Sequence, residues 1–267
     1  MRIHLGGEMI RLMFSHRWWW TTLIVLAGIG LAIRLGFWQL DRHSQRQSTI
    51  QQVQAMQALP VLDLNLSPLP ADLNSMEYRQ VTASGEYDFA NQVVLRNQVR
   101  SRMSGTDPGF ALVTPLNLPD GQAVLVERGW IPLDYNTHAS WRQFDEPGLV
   151  HVEGIIRLSL EKGEMGSALF DPTLTPGQTR LDFWNFINLT RLKEQFPYPI
   201  LGVYIQQAPG DDLETLPYRL MEQPDLDPGA HIGFALQWFF YAGLLLFGYP
   251  VWLKKQKIKD LPVQGEG

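Results

Sequence analysis

The stretch His231–Leu253, HIGFALQWFFYAGLLLFGYPVWL, constrains this chain more than any other. From Ile232 onward it carries no formal charge for 22 residues, which matches the ~20 apolar residues that cross a bilayer core. Gln237 is its one strongly polar side chain. In hydrocarbon the backbone must pair its own N–H and C=O groups, so the run is expected to be a helix. Asp227-Pro228-Gly229 precedes it as a helix-starting turn, His231 opens it, and Lys254, Lys255, Lys257 and Lys259 follow it. One end offers an imidazole and the other a basic anchor.

A second apolar run, Trp18–Leu40, reads WWWTTLIVLAGIGLAIRLGFWQL and is uncharged from Trp18 to Ile33. Trp18, Trp19 and Trp20 stand where an interfacial aromatic belt would, with Trp38 at the opposite interface. Arg34 lies about one turn inside that end, within reach of the interface by snorkelling. The run exceeds a signal-peptide core, and FWQLDRHSQR follows it in place of a small-x-small cleavage site, so an uncleaved anchor is expected. Arg11 and Arg17 flank the first span and four lysines follow the second, which directs both termini to the cytoplasm. The expected organisation is a cytoplasmic segment at 1–17, a span at 18–40, a periplasmic domain at 41–230, a span at 231–253 and a basic tail at 254–267.

Mean hydropathy over the 267 residues is only −0.12, too polar for a polytopic transporter, so a membrane-tethered soluble domain is the better reading. There is no cysteine, which excludes disulfides, thiolate metal sites, Cys nucleophiles and c-type haem attachment. Residues 41–230 carry 14 Lys and Arg against 24 Asp and Glu. That acidic balance argues against nucleic acid as a partner, which needs a basic footprint.

Residues 41–59 lack Gly and Pro and are expected to prolong the first helix as far as Pro60. From Glu77 the pattern changes to short β-rich runs. Glu77–Gln98 reads as two antiparallel strands, Ser101–Gly109 as a loop, FALVTPLNL and QAVLVERGW as strands about the turn Pro119–Gly121. LVHVEGIIRL, DFWNFINL and PILGVYIQQ read as further strands, Glu161–Gly177 as a Gly/Pro-rich loop, and Leu189–Phe196 as a short helix capped by Asn188 or Thr190. The fold class expected is a membrane protein with a hairpin of two transmembrane α-helices and a mainly antiparallel β barrel or sandwich outside the membrane.

Candidate site residues gather at the outer ends of the spans. His231 is either an axial ligand to a haem or other metal or an interfacial residue that ends the helix. Ala235, Trp238 and Ala242 share its helical face and suit either a flat macrocycle or the first helix. Arg34, Trp38, Gln39 and Arg42 form a cationic, aromatic edge that suits an anionic cofactor or a plain interfacial anchor. Within Glu127-Arg128-Gly129-Trp130 the arginine suits an anion or a structural ion pair. His138 and His151 read as surface or strand residues. GxSxG, HExxH, P-loop and GxGxxG motifs are all absent, so no enzyme is expected.

The ordered set LGFWQLDR, YRQVTASGEYD, VLVERGWIP, VEGIIR and HIGFALQWFFYAGLLL resembles the surfeit-locus family of cytochrome c oxidase assembly factors, in its bacterial form. The resemblance runs from about Leu35 to Tyr249. It implies an inner-membrane protein with two spans and a periplasmic β-rich domain, which handles haem a for insertion into subunit I of haem-copper oxidase, with haem a synthase a possible further partner. It implies His231 as the haem iron ligand. A site for a large apolar cofactor with charged propionates should be apolar inward and polar outward, and Ala235 and Trp238, with Arg34 and Trp38 across the helix pair, have that character. Phe234 stands where the family commonly has Tyr, and Glu127 where it commonly has Asn. The rival expectation is a structural adaptor that holds oxidase subunits without binding haem.

Overall fold

Two long helices carry most of the exposed apolar surface of this protein, and short strands carry its core. The computed structural model describes residues 4–102, 105–160, 172–175, 178, 180–210, 215–219 and 226–259. In chain order the elements are α1 (His4–Met13), α2 (Trp19–Gln57), β1 (Leu62–Asp63), β2 (Gln80–Tyr87), β3 (Val93–Arg102), β4 (Gly105–Asn117) and β5 (Ala123–Pro132). There follow α3 (His138–Trp141), β6 (Leu149–Leu158), β7 (Phe183–Trp184), α4 (Leu189–Leu192), β8 (Ile200–Gln207) and α5 (His231–Lys259). They form two compact units, Met1–Gln51 with Asp225–Gly267, and Gln52–Pro224.

In the helical unit α2 and α5 lie antiparallel. The contacts run from Trp18 against Trp252, ring centroids 5.2 Å apart, through Thr22 Oγ1 to Tyr249 OH at 2.7 Å, to Phe37 against Phe239 at 5.4 Å. Gly36 is required for this packing, because a Cβ there would stand 2.6 Å from the Phe239 ring. Small residues at such crossings let helices approach without a hydrophobic driving force between them. Both helices are long and apolar enough to cross a membrane, yet only 11% and 17% of their most apolar stretches are buried. A soluble core helix would be covered; bare apolar faces of this size need lipid or protein. The 39 residues of α2 extend about 58 Å, well beyond a ~30 Å hydrocarbon layer, so its Gln-rich second half continues past the apolar run as expected.

In the second unit β2, β4, β5, β8 and β6 close into a ring, because β2 pairs with both β6 and β4. Taken in chain order these five strands are joined 1-2-3-5-4, with α3 between the third and fourth, the Greek-key order of an OB-type barrel. The pairing is mainly antiparallel, with β5–β8 parallel. Val81, Val126, Val152, Ile156, Val203 and Ile205 fill the interior. A second cluster, including Trp184, Leu192 and Phe196, covers the other face of β4, β5 and β8. In a third, Trp141 and Phe144 pack on Val94, Phe110, Leu112 and Ile131.

Several sequence expectations need correction here. The two strands within Glu77–Gln98 form but do not pair with each other: β2 joins β6, β4 and β1, whereas β3 joins β4 and β7. Ser101–Gly109 is no simple loop, since Ser101 pairs with Thr106 and Gln98 with Gly109 in a β3–β4 hairpin. DFWNFINL contributes only the two residues of β7, and the helix after it is capped by Asn188, whose side chain accepts from Arg191 N. Most of the loop expected at Glu161–Gly177 lies outside the described residues.

Candidate functional site

His231 is the first residue of α5. Its imidazole is half-buried, and Nδ1 lies 2.9 Å from Gln39 Oε1 on α2. Nε2 has no hydrogen-bond partner among the described residues. The turn before it fixes the ring from the other side. Gly229 adopts φ +71°, its N–H donates to Asp227 Oδ1 at 2.9 Å, and the Asp227 carbonyl accepts from Arg46 Nε at 3.1 Å. Position 229 favours glycine: besides the left-handed backbone, a Cβ would come within 3.2–3.3 Å of the Cδ2–Nε2 edge of His231.

The other candidates divide into two groups. Arg34 and Trp38 line an open groove of about 700 Å3 together with Gly30, Ile33, Phe37 and Asp41, all of them on α2. Trp38 is 48% exposed, with the Arg42 guanidinium 5.6 Å over its ring. Arg34 makes no ion pair or hydrogen bond among the described residues. Ala235 and Ala242, by contrast, are buried, Ala235 at 1% exposure, on the face that meets α2. Trp238 is half-buried, edge-on to Tyr241 at 6.0 Å. The groove and the His231 ring are thus separate features of one helix pair.

These residues fit a tetrapyrrole in donor chemistry. Among the described residues His231 Nε2 has no hydrogen-bond partner, and Arg34 and Arg42 are cations that suit carboxylates. Among the described residues no group of three or more His, Asp or Glu stands together as a metal site, so ligation of a bare ion finds no support there.

The barrel unit uses its polar residues differently. Arg128 is 1% exposed. Its guanidinium lies 4.7 Å over the Tyr87 ring and pairs with Glu146 at 2.9 Å and with the Phe144 carbonyl. Arg219 reaches the same Glu146 oxygen at 3.2 Å. This is the structural alternative for that arginine, a charge neutralised inside the fold rather than an anion receptor. Burial pushes the Tyr87 hydroxyl up to about 12, against the lowering pull of Arg128. Burial likewise raises Asp145, opposed by Arg128, Arg142 and His138. Trp130 is buried against Tyr218 and lines a pocket of about 280 Å3 with Gln98, Val99, Glu127 and Gln206. His138 packs on Trp141, and exposed His151 bonds Ser84 at 2.9 Å.

The contact between Gln39 and His231 escaped the sequence reading, which placed Gln39 in the cationic edge without a partner. The signal was present in the aromatic ends. If Trp18 faces the far end of the second helix, antiparallel pairing brings position 39 opposite 231.

A family model described as the SURF1 family matches residues 26–243. Surfeit locus protein 1 of Arabidopsis thaliana is 21% identical over 294 residues, which cover 92% of this chain and 79% of that protein. A SURF1-like protein of Rickettsia conorii is 23% identical over 90% of this chain and 94% of its own length. Surfeit locus protein 1 of Rattus norvegicus is 31% identical over a shorter segment, 48% of this chain and 45% of the rat protein.

Proposed function

From the premise that the chain belongs to the SURF1 family, we propose that it is a membrane-bound, non-enzymatic assembly factor for haem-copper cytochrome c oxidase. Its cargo is haem a, received at the outer edge of the helix pair and passed to subunit I, with haem a synthase as the source. The observation that carries this reading is the His231 ring, held through Nδ1 with Nε2 left unpartnered.

His231 Nε2 would bind the haem iron, and Arg34 and Arg42 would meet the propionates at the polar edge. Trp38 would flank the apolar ring. Ala235 supports this arrangement from behind, by letting α5 lie close to α2. A single imidazole suits a carrier better than two, since the load must also leave. The reading sets the protein in the cell inner membrane with two passes, both termini in the cytoplasm and 41–230 in the periplasm. The charge pattern supports it: Arg11, Arg17 and the C-terminal lysines gather at one end of the helix pair.

Purified full-length protein titrated with haem a should give a saturable Soret band. His231→Gly should lose it, and added imidazole should restore it by filling the vacated ligand position. A His231→Gly protein that binds haem as the wild type does would refute ligation at this residue. Colourless wild-type protein that still brings down subunit I would favour the adaptor role instead.

A further inference from the structure

We propose that Gln39 is a positioning residue. Its side-chain oxygen holds His231 in the Nδ1–H tautomer and makes Nε2 the ring nitrogen that is free to take a metal. The identity of the metal rests on the haem-handling reading above; the tautomer is a property of this chain alone.

A neutral imidazole has one nitrogen that donates and one that accepts. The Gln39 oxygen can only accept, and 2.9 Å is the usual length of an N–H···O bond. With that oxygen turned to the ring, on this proposal the proton sits on Nδ1 and the lone pair on Nε2. Metal-binding histidines characteristically give their second N–H to such an acceptor, which fixes the ring and raises the basicity of the ligating nitrogen. Turning the amide round would set its NH2 against Nδ1 and favour the proton on Nε2, which weakens ligation there.

The surroundings supply what a positioning bond needs. Gln39 and Arg46 are seven residues apart on α2, hence on one face. Gln39 grips the His231 ring, while Arg46 grips the Asp227 carbonyl of the turn before it. Gly229 keeps the Nε2 edge clear of any side chain. The imidazole is held by its protonated edge, and its lone-pair edge lies over a glycine.

The test uses full-length protein with 15N-labelled histidine, haem-free, at about pH 8, where imidazoles are ordinarily neutral. The His231 signals are identified by their loss in His231→Asn. Wild type should show protonated Nδ1 and bare Nε2. Gln39→Glu keeps the acceptor and should keep this pattern. Gln39→Met has the same length without the acceptor, and should gain an Nε2–H population. On loading, Gln39→Met should bind haem about 10–100-fold more weakly, as second-shell losses do, and Gln39→Glu should restore binding. A proton on Nε2 in the wild type, or a Gln39→Met tautomer identical to wild type, overturns the proposal. If the Met variant fails to assemble, the wild-type spectrum decides alone. The expected tautomers with no haem uptake by wild type would sink the haem reading and leave the tautomer assignment standing.

Discussion

In the barrel, apolar side chains turn inward and charges follow them: Arg128 is sealed over Tyr87 and neutralised by Glu146. In the helix pair the reverse holds. Phe247 is 73% exposed and Leu236 65%, while the polar contacts, Thr22 to Tyr249 and Gln39 to His231, lie between the helices. A domain in water lowers its free energy by hiding hydrocarbon; the helix pair leaves its hydrocarbon bare, as two helices long and apolar enough to cross a membrane, and such faces need lipid or protein to cover them. The difference also separates the roles of two conspicuous residues. Arg128 is a structural residue because its charge is paired with Glu146 inside the fold, and His231 is a ligand candidate because its Nε2 has no hydrogen-bond partner among the described residues.

If the contrast is real, damage to one unit should leave the other standing. The largest effect should come from Trp141→Ala, which empties a fully buried site and should cost the barrel about 3–5 kcal/mol, read as a fall in its thermal midpoint with the helix pair still protected from proteolysis. Glu146→Ala comes next. It strands the Arg128 charge and should cost about 2–3 kcal/mol, with much of the loss recovered in the Arg128→Met, Glu146→Leu double variant. Against the helix pair, Gly36→Ala drives a Cβ into Phe239 and should cost about 1–2 kcal/mol. Phe239→Leu should relieve it, and haem uptake should fall while the barrel midpoint stays put.

The smallest effect sharpens the comparison through pH. Asp88 is part-buried, which alone would raise its pKa. Hydrogen bonds from Tyr198, the Asn91 side chain and the Asn91 and Ala90 N–H groups outweigh that and hold it below the ordinary value. Its contribution is therefore present above about pH 4 and lost as the pH falls through the lowered folded value. Asp88→Ala should cost the barrel about 1 kcal/mol at neutral pH and flatten its stability curve on the acid side.

Much of this was legible in the sequence because it is local. Length and apolar content fixed α2 and α5, Asp227-Pro228-Gly229 fixed the start of the second, and the strands LVHVEGIIRL and PILGVYIQQ stood out by composition. Pairing between distant segments was not legible. The β3–β4 hairpin was hidden by Gly105, Pro108 and Gly109, which read as a loop. Gly109 stands in a strand because the Trp130 indole lies on it, and a Cβ there would be 2.4 Å from that ring. The fates of Arg128 and Ala235 depended on partners, Glu146 and the α2 face, that no spacing rule connects to them. Gln39 was seen but not joined to His231, since that step needs the register of two helices separated by the whole barrel sequence.

On the haem-handling proposal, cargo binds the helix pair and not the barrel. Visible spectra of full-length His231→Ala and Trp130→Phe, each purified from cells that make haem a, set the two units against each other directly. The expected result is a colourless His231→Ala protein beside a Trp130→Phe protein with wild-type haem content. Wild-type absorbance in His231→Ala, with haem lost from Trp130→Phe, would contradict it.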